Sequence, residues 1–478
     1  MIDNTPDQDV VIKSVENFLV SDDNLMIITG AAGTGKTTLI KNIQDIALER
    51  NWKTIPLGVW GRSVGAIIQI TGIPAISISK YIRIHDDIER KKEPYKNFED
   101  WYTSFYSRKF KIKIFPDFIN KLFSLRDEID STLLVIDEAS TLNYDTLKKA
   151  YELTKKNNKN VKIIILGDNC QLPPTKSSDN ILELGFFETE KNDLFNVFNE
   201  EAFELKTSHR VDDEQKFLLE LTRELRPLAE ERRTSEEAKE IIREAFNSQE
   251  VLVLSKKNCF KKLKEINNIK EVMYIAPENE ATVITKALRN NYLSLDGGGE
   301  EIIIEGDFLR ARANGAKQDF VTGDEFIVKK ILDDTEEFII AKVEAVSRIK
   351  EYRGKLVRDA LLLIVNTFWE QKTREAIIAI YKPPLSNDNL FKRTNYLRAA
   401  YMNAWEDLSK EELSSDLFNN IDDVIAVSYG YASKIQDVQG GEWDHVALSL
   451  TTDEKIDNAR YWYTAVTRAK KQLLVVIN

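Results

Sequence analysis

Cysteine, histidine and net positive charge are what this sequence has least of. Two cysteines, Cys170 and Cys259, cannot build a disulfide scaffold and fit a reducing compartment. The three histidines, His85, His209 and His445, do not pair with cysteine at metal-ligand spacing, so no zinc or haem site is expected. No apolar run approaches the ~18–20 residues of a membrane span; the longest are pieces such as Ala360–Val365. The opening residues, MIDNTPDQD, are acidic and polar, which argues against a signal or transit peptide and for the cytoplasm. Lys and Arg number 67 against 78 Asp and Glu, a net charge of −11. The strongly basic domain that most readily marks a nucleic-acid binder is therefore absent from the whole-chain count. Any polyanion has to be met by locally placed positive charge.

What is present is ample folded chain. With 478 residues, two to four domains are expected. Short apolar β-rich runs alternate with helical patterns in the first half. Leu25–Thr29 reads as a buried strand, followed by a glycine-rich turn and then by Leu39, Ile40, Ile43, Ile46 and Ala47 at helical spacing. Thr132–Ile136 and Val161–Leu166 are further strands, with a helix expected over Asp145–Lys156 between them. Continuous rather than alternating apolar strands predict a parallel sheet covered on both faces. Val251–Leu254, Val272–Ala276, Val424–Val427, Val446–Leu450 and Leu473–Ile477 form a second such series. Two stretches break the pattern and read as insertions. One runs from about 81 to 130 and is rich in aromatics over Trp101–Phe110; the other runs from about 300 to 424. The second carries the β-like runs Glu301–Glu305, Glu325–Lys330, Glu337–Val343 and Leu361–Val365.

The segment Gly30-Ala31-Ala32-Gly33-Thr34-Gly35-Lys36-Thr37-Thr38 fits G-x-x-x-x-G-K-[ST] between a strand and a helix, the context that gives this pattern meaning. Its glycines free backbone N–H groups to face phosphates, and the following helix adds its positive end. Lys36 should reach the β- and γ-phosphates of ATP, and the Thr37 hydroxyl should ligate Mg²⁺. Asp137-Glu138 ends the second strand, where a carboxylate partner for Mg²⁺ belongs; Glu138 is placed to orient or deprotonate an attacking water.

The ordered motif set resembles a superfamily 1 helicase of the 1B branch, RecD/Dda-like. Thr5-Pro6-Asp7-Gln8 resembles the Q motif, whose Gln reads adenine. Asp137-Glu138-Ala139-Ser140 is similar to motif II. Gly167-Asp168-Asn169-Cys170-Gln171-Leu172-Pro173-Pro174 is similar to motif III, whose Gln contacts the γ-phosphate. Ser208-His209-Arg210 looks like motif IV, Gln439-Gly440-Gly441-Glu442 like the end of motif V, and Tyr463–Lys470 like motif VI. The resemblance implies that Arg210 and Arg468 approach the γ-phosphate and that Glu442 joins the nucleotide contacts. Arginines in that position stabilise charge developing on the transferred phosphoryl group.

The pattern is broken at motif Ia, which reads Leu57-Gly58-Val59-Trp60-Gly61-Arg62-Ser63, and before motif V, which reads Lys434-Ile435-Gln436-Asp437, with Asp where relatives carry Lys. A strand-tracking groove needs cations beside aromatic platforms. Candidates are Trp60, Arg62 and Lys434, with Phe98 near the tip of a pin-like hairpin in the first insertion. Gly306–Asn314 with Val321–Asp324 resembles the SH3-like insertion of RecD-type second lobes.

The fold expected is α/β, with two RecA-like P-loop lobes and parallel sheets. Lobe 1A covers 1–80 and 130–205, with insertion 1B over 81–129; lobe 2A covers 206–300 and 425–478, with an SH3-like insertion over 301–424. The activity implied is a monomeric, ATP- and Mg²⁺-dependent 5′→3′ DNA helicase acting on single-stranded DNA and duplex junctions. Replication, repair or recombination, with proteins of those processes as partners, is the implied setting. An RNA or RNA–DNA helicase of the same superfamily stays open, as does a P-loop NTPase without motor function. No N-K-x-D guanine-reading motif is found.

Overall fold

The computed structural model describes residues 4–59, 61–71, 75–89, 131–156, 158–173, 202–207, 216–245, 250–266, 268–294, 303–312, 324–335, 338–346, 373–381, 408–409, 411–451 and 458–477. They fall into two compact units. One runs to Ala238 and takes in the segment ending at Thr467; the other holds the remainder from Lys239. No helix among the described residues is long and apolar enough to cross a membrane.

The first unit is built on a parallel sheet. Its elements in chain order are α1 (Pro6–Val20), β1 (Leu25–Gly30), α2 (Lys36–Glu49), β2 (Lys53–Gly58), α3 (Gly61–Thr71), β3 (Ile76–Ser77), α4 (Ile78–Glu89), β4 (Ser131–Asp137), α5 (Tyr144–Lys155), β5 (Asn160–Gly167), β6 (Phe203–Leu205) and α6 (Lys216–Glu230). The strand order is β3-β2-β4-β5-β1-β6, with every pair parallel. Alternate residues of the same strands serve different cores. Ile27, Leu134, Ile136, Ile163 and Ile165 pack with Tyr81 and Ile84 of α4 and Leu147 and Tyr151 of α5. Met26, Ile28, Leu133, Val135, Ile164 and Leu166 pack with Val15 and Phe18 of α1 and Leu39 and Ile43 of α2. The middles of β1, β4 and β5 therefore carry apolar residues at consecutive positions, because both faces of the sheet are covered.

The second unit begins within α7 (Ser235–Glu244) and continues through β7 (Val251–Ser255), α8 (Lys256–Glu265), β8 (Val272–Ile275), α9 (Glu278–Leu293), β9 (Phe308–Ala311), β10 (Glu325–Asp334), β11 (Phe338–Val346), β12 (Thr373–Tyr381), α10 (Ser415–Asn419), β13 (Asp423–Ile425), β14 (Val427–Tyr429), β15 (Ala432–Ser433) and β16 (Trp443–Ser449). Helix α11 (Ala459–Val466) lies in the first unit, and β17 (Ala469–Ile477) in the second. A five-stranded parallel sheet runs β15-β8-β16-β17-β7. A separate sheet runs β13-β12-β11-β10-β9-β14 and is antiparallel except where β12 meets β13.

Two expectations are corrected here. Val424–Val427 does not join the parallel series. It divides at Ala426 into β13 and β14, which close opposite edges of the antiparallel sheet, where Val424 and Ile425 are fully buried. A short unbroken apolar run signals burial on both faces but cannot say in which sheet. Glu301–Glu305 is no strand over its described residues, 303–305; the chain turns there, with Gly306 at φ 91°, and pairing starts at Phe308. The expected runs Leu361–Val365 and Trp101–Phe110 lie outside the described residues.

Candidate active site

Three neighbouring parallel strands of the first unit, β4, β5 and β1, end at the same edge of the sheet. Each therefore delivers its next few residues to one crest, the place where open α/β sheets bind ligands. After β1 comes the phosphate loop, after β4 Asp137-Glu138, and after β5 the turn Asp168–Gln171.

The loop is shaped by its glycines. Gly33 and Gly35 both have φ 81°, a left-handed conformation that side chains disfavour. At Gly30 a Cβ would meet the Thr34 hydroxyl at 2.7 Å and Leu205 at 3.0 Å. Lys36 opens α2 and donates from Nζ to the carbonyls of Gly30 and Ala31 at 2.6 and 2.8 Å. Thr34 is buried and also donates to the Ala31 carbonyl, at 2.9 Å. The Gln8 amide reaches the same loop, donating from Nε2 to the Thr34 carbonyl at 3.2 Å. Its Oε1 accepts from the Thr5 backbone, so one side chain both caps α1 and touches the phosphate loop.

The Thr37 hydroxyl donates to Asp137 Oδ2 at 2.7 Å, joining residues a hundred positions apart. Burial pushes the Asp137 carboxyl up, against the Thr37 hydrogen bond and the Lys36 charge. A hydroxyl and a carboxylate side by side are the hard oxygen donors that Mg²⁺ takes, so the two residues fit the ion. Glu138 comes next, at φ 59°, an uncommon conformation for a residue with a Cβ, and its backbone donates to Asp137 Oδ1 at 2.9 Å. Backbone strain of this kind is sustained where the surroundings over-determine it, and at Glu138 it falls beside Asp137.

Gln171 is 3% exposed, and its Oε1 is buried without a hydrogen-bond partner. A buried orphan acceptor is costly. Ahead of it, Asp168 Oδ1 accepts from the Cys170 backbone at 3.1 Å, and the Asp168 carbonyl from the Gln171 backbone at 3.1 Å.

In the second unit, Arg468 is buried and donates to the Gly441 carbonyl at 3.1 Å, while its own carbonyl accepts from Trp443. That brings Gly441 and Trp443, on either side of Glu442, against Arg468. Gly440 there has φ 69°. Lys434 caps a 3-10 turn over Ile435–Val438, and Asp437 in that turn pairs with Arg312 at 2.7 Å. The missing motif V cation thus has an arginine at the end of β9 beside its replacement. Arg210, Trp60 and Phe98 lie outside the described residues, as does the side chain of Arg62 in the first turn of α3. Of the basic cluster on α8, Lys262 pairs with Glu265 and Lys256 with Glu280, while Lys257, Lys261 and Lys264 are exposed.

Sequence reasoning missed several residues around this crest. Arg226 of α6 donates to Asp168, Asn169, Glu204 and Tyr463. Asp7, inside the Q-like motif, accepts from the Lys206 and Thr207 backbones at 2.6 and 2.9 Å. Lys162 donates to the carbonyls of Phe18, Ser21 and Asp23. Arg226 belongs to no spacing pattern, Asp7 sat inside a motif that assigned it no role, and Lys162 offered only the signal of a charge inside an apolar strand.

Comparison with known proteins agrees with this geometry. Residues 6–227 match an AAA domain, and residues 429–476 match the UvrD-like helicase C-terminal domain. Together these segments make up more than half of the chain. An uncharacterized protein of Methanocaldococcus jannaschii is 24% identical over 98% of this chain, which spans only 38% of that protein's length. Among solved structures, Bacteroides Pif1 bound to ssDNA is 12% identical, with a TM-score of 0.48 over 99% of this chain and 92% of that one. The Pif1 helicase of Candida albicans is 15% identical, with a TM-score of 0.44 over 100% of this chain and 96% of that one. An AAA domain followed by a UvrD-like helicase C-terminal domain is the pairing of an ATP-hydrolysing helicase, and the 1B, RecD/Dda-like branch is what the motif order resembles.

Proposed function

We propose that this chain is the motor of an ATP- and Mg²⁺-dependent DNA helicase that moves 5′→3′ along single-stranded DNA and opens duplexes. The observation that carries the ATPase part is the Thr37–Asp137 contact beside Lys36, on a phosphate loop whose glycines hold the conformation phosphates need. In this reading Lys36 turns from the loop carbonyls to the β- and γ-phosphates, and the backbone N–H groups of 33–38 cradle them. Mg²⁺, held by Thr37 and Asp137, would neutralise charge on the phosphate oxygens. Glu138 orients and deprotonates the attacking water, Gln171 meets the γ-phosphate, and Gln8 reads the adenine. Arg210 and Arg468 stabilise the developing charge, with Glu442 completing the nucleotide contacts. Lobes 1A and 2A, insertions 1B and 2B, and strand contacts from Trp60, Arg62, Phe98 and Lys434 complete the proposal. DNA as the strand, and the polarity, rest on the RecD/Dda-like motif order.

The test is ATP turnover with and without single-stranded DNA or RNA, together with unwinding of duplexes carrying a 5′ or a 3′ tail. Stimulation by DNA and unwinding from 5′ tails are expected. No stimulation by either nucleic acid would remove the motor. Stimulation by RNA alone would move the assignment to an RNA helicase, and unwinding only from 3′ tails would reject the polarity.

A further inference from the structure

The turn that carries Gln171 is held from two sides. From α6, the Arg226 guanidinium donates to Asp168 Oδ1 at 2.9 Å, to Asn169 Oδ1 at 3.3 Å and to Glu204 at 3.4 Å. From α11, the Tyr463 hydroxyl donates to Asp168 Oδ2 at 2.7 Å, and the Thr464 hydroxyl accepts from the Leu172 backbone at 3.0 Å. Arg226 and Tyr463 also bond each other at 3.1 Å, so the three side chains form one network, with Asp168 and Tyr463 fully buried. Helix α11 is anchored in turn, with Arg460 donating to the Ala229 carbonyl and the Asn458 backbone to the Ser235 hydroxyl. Burial, and the Asp168 carboxylate, push the Tyr463 hydroxyl well above its ordinary range, so it stays a donor at every relevant pH. Burial works against the Arg226 charge, and the Asp168 carboxylate outweighs it and raises its pKa. Cys170, between Asp168 and Gln171, is pushed up to about 12 by burial and by Asp168.

The arrangement spends a buried ion pair on one short turn. Within the turn, Asp168 accepts from the Cys170 and Gln171 backbones and Cys170 Sγ meets Asn169 Oδ1 at 3.7 Å, while Gln171 Oε1 is buried without a partner. A buried charge pair gives little net stability compared with apolar packing of the same volume. What it does give is geometry, because Asp168 has both oxygens engaged and cannot rotate. Gln171 lies three residues further on, at the crest shared with the phosphate loop.

We infer that Arg226, Asp168 and Tyr463 form a positioning clamp that holds the turn so that Gln171 meets the nucleotide, and that this clamp ties ATP turnover to the placement of α11. None of the three is a catalytic residue. The clamp rests on the ATPase reading above and on the role proposed there for Gln171.

The clean variant is Tyr463→Phe in the full chain, which keeps the ring and leaves Arg226 on Asp168. With saturating oligothymidylate, kcat for ATP should fall between about tenfold and 100-fold, the cost of a small misplacement of a reacting group, while KM for ATP stays within about twofold. Arg226→Lys keeps a charge beside Asp168 but loses the fork to Asn169 and Tyr463; it should lower kcat in the same way. The decisive arm is the Gln171→Ala background. A clamp that acts through Gln171 has nothing left to position there, so adding Tyr463→Phe should change kcat by less than about twofold. Effects that multiply instead would show that the network only supports the fold, and would overturn the inference, as would wild-type kcat in both single variants. A wild-type chain that hydrolyses no ATP would fail the parent reading first, a result distinct from a failed clamp.

Discussion

In the first unit Asp168 holds Arg226 and accepts from the Tyr463 hydroxyl; in the second, Asp307 holds Arg289 and accepts from the Tyr431 hydroxyl. The side-chain types are the same and the wiring differs. Arg289 grips Asp307 with both arms, Nε to Oδ1 at 2.6 Å and Nη2 to Oδ2 at 2.9 Å. The Ile304 backbone donates to Oδ2, and Tyr431 accepts from the Phe308 backbone at 3.1 Å. These contacts join α9 to the start of β9 and to Tyr431, which follows β14. Arg226, by contrast, divides its donors among four residues, and the turn it holds carries an orphan acceptor. Removing one partner of the closed bidentate pair leaves an uncompensated buried charge, so its loss reads out as stability, whereas the spread network beside an unmet polar group reads out at the site.

The comparison is tested hardest by variants that separate activity from stability. The largest effect is expected from Lys36→Ala. Its ammonium contacts loop carbonyls in this structure, so the folded state should survive while ATP hydrolysis is lost altogether. Retained turnover would show that the crest of the first unit is not the nucleotide site. Asp307→Ala should do the reverse. It leaves the Arg289 guanidinium buried without its carboxylate and should cost about 3–5 kcal/mol in a urea titration, with turnover per folded molecule unchanged. If its stability loss is under about 1 kcal/mol, or if kcat falls in the folded fraction, the contrast between the two clusters collapses.

How much of this could be read from the sequence depends on the length over which each signal is written. The phosphate loop, the strand ending at Asp137 and the continuous apolar strands β1, β4 and β5 are local patterns, and the structure places them within about two residues of the positions their spacing predicts. Gln8 was legible as a motif member, but its bond to the Thr34 carbonyl was not. Val424–Val427 carried a true burial signal with no address, because two sheets in the same unit offered a covered position. Arg226, and the partners of Asp7, were invisible. A single Arg in the helix ELRPL, or an Asp two residues after a helix cap, looks the same whether it faces solvent or a partner 58 or 199 residues away. Partners at such separations are fixed by the sheet order, which no local spacing records.

Asp7 gives the smallest expected effect and shows how an exposed tether in the first unit differs from either buried cluster. Burial raises its carboxyl, but the backbone of Thr207, the hydroxyl of Thr5 and the backbone of Lys206 outweigh that and hold it well below the usual carboxylate range. A pKa depressed in the folded chain means that the folded state binds its proton less readily than the unfolded state. The stabilisation is therefore fully present above the unfolded value, about 4, and drains away as the pH falls below it. Asp7→Asn removes the titration and keeps one acceptor oxygen. The thermal midpoint of the wild type should exceed that of the variant by a constant margin near neutrality, and the two curves should converge as the pH drops from about 4 towards 2. Because the side chain is only partly buried, the margin should be only a few degrees or less. Curves that stay parallel through the acid range would mean that Asp7 does not hold 206–207 through its charge. Residues 206 and 207 would then be placed by β6, where Leu205 is buried between the phosphate loop and the core.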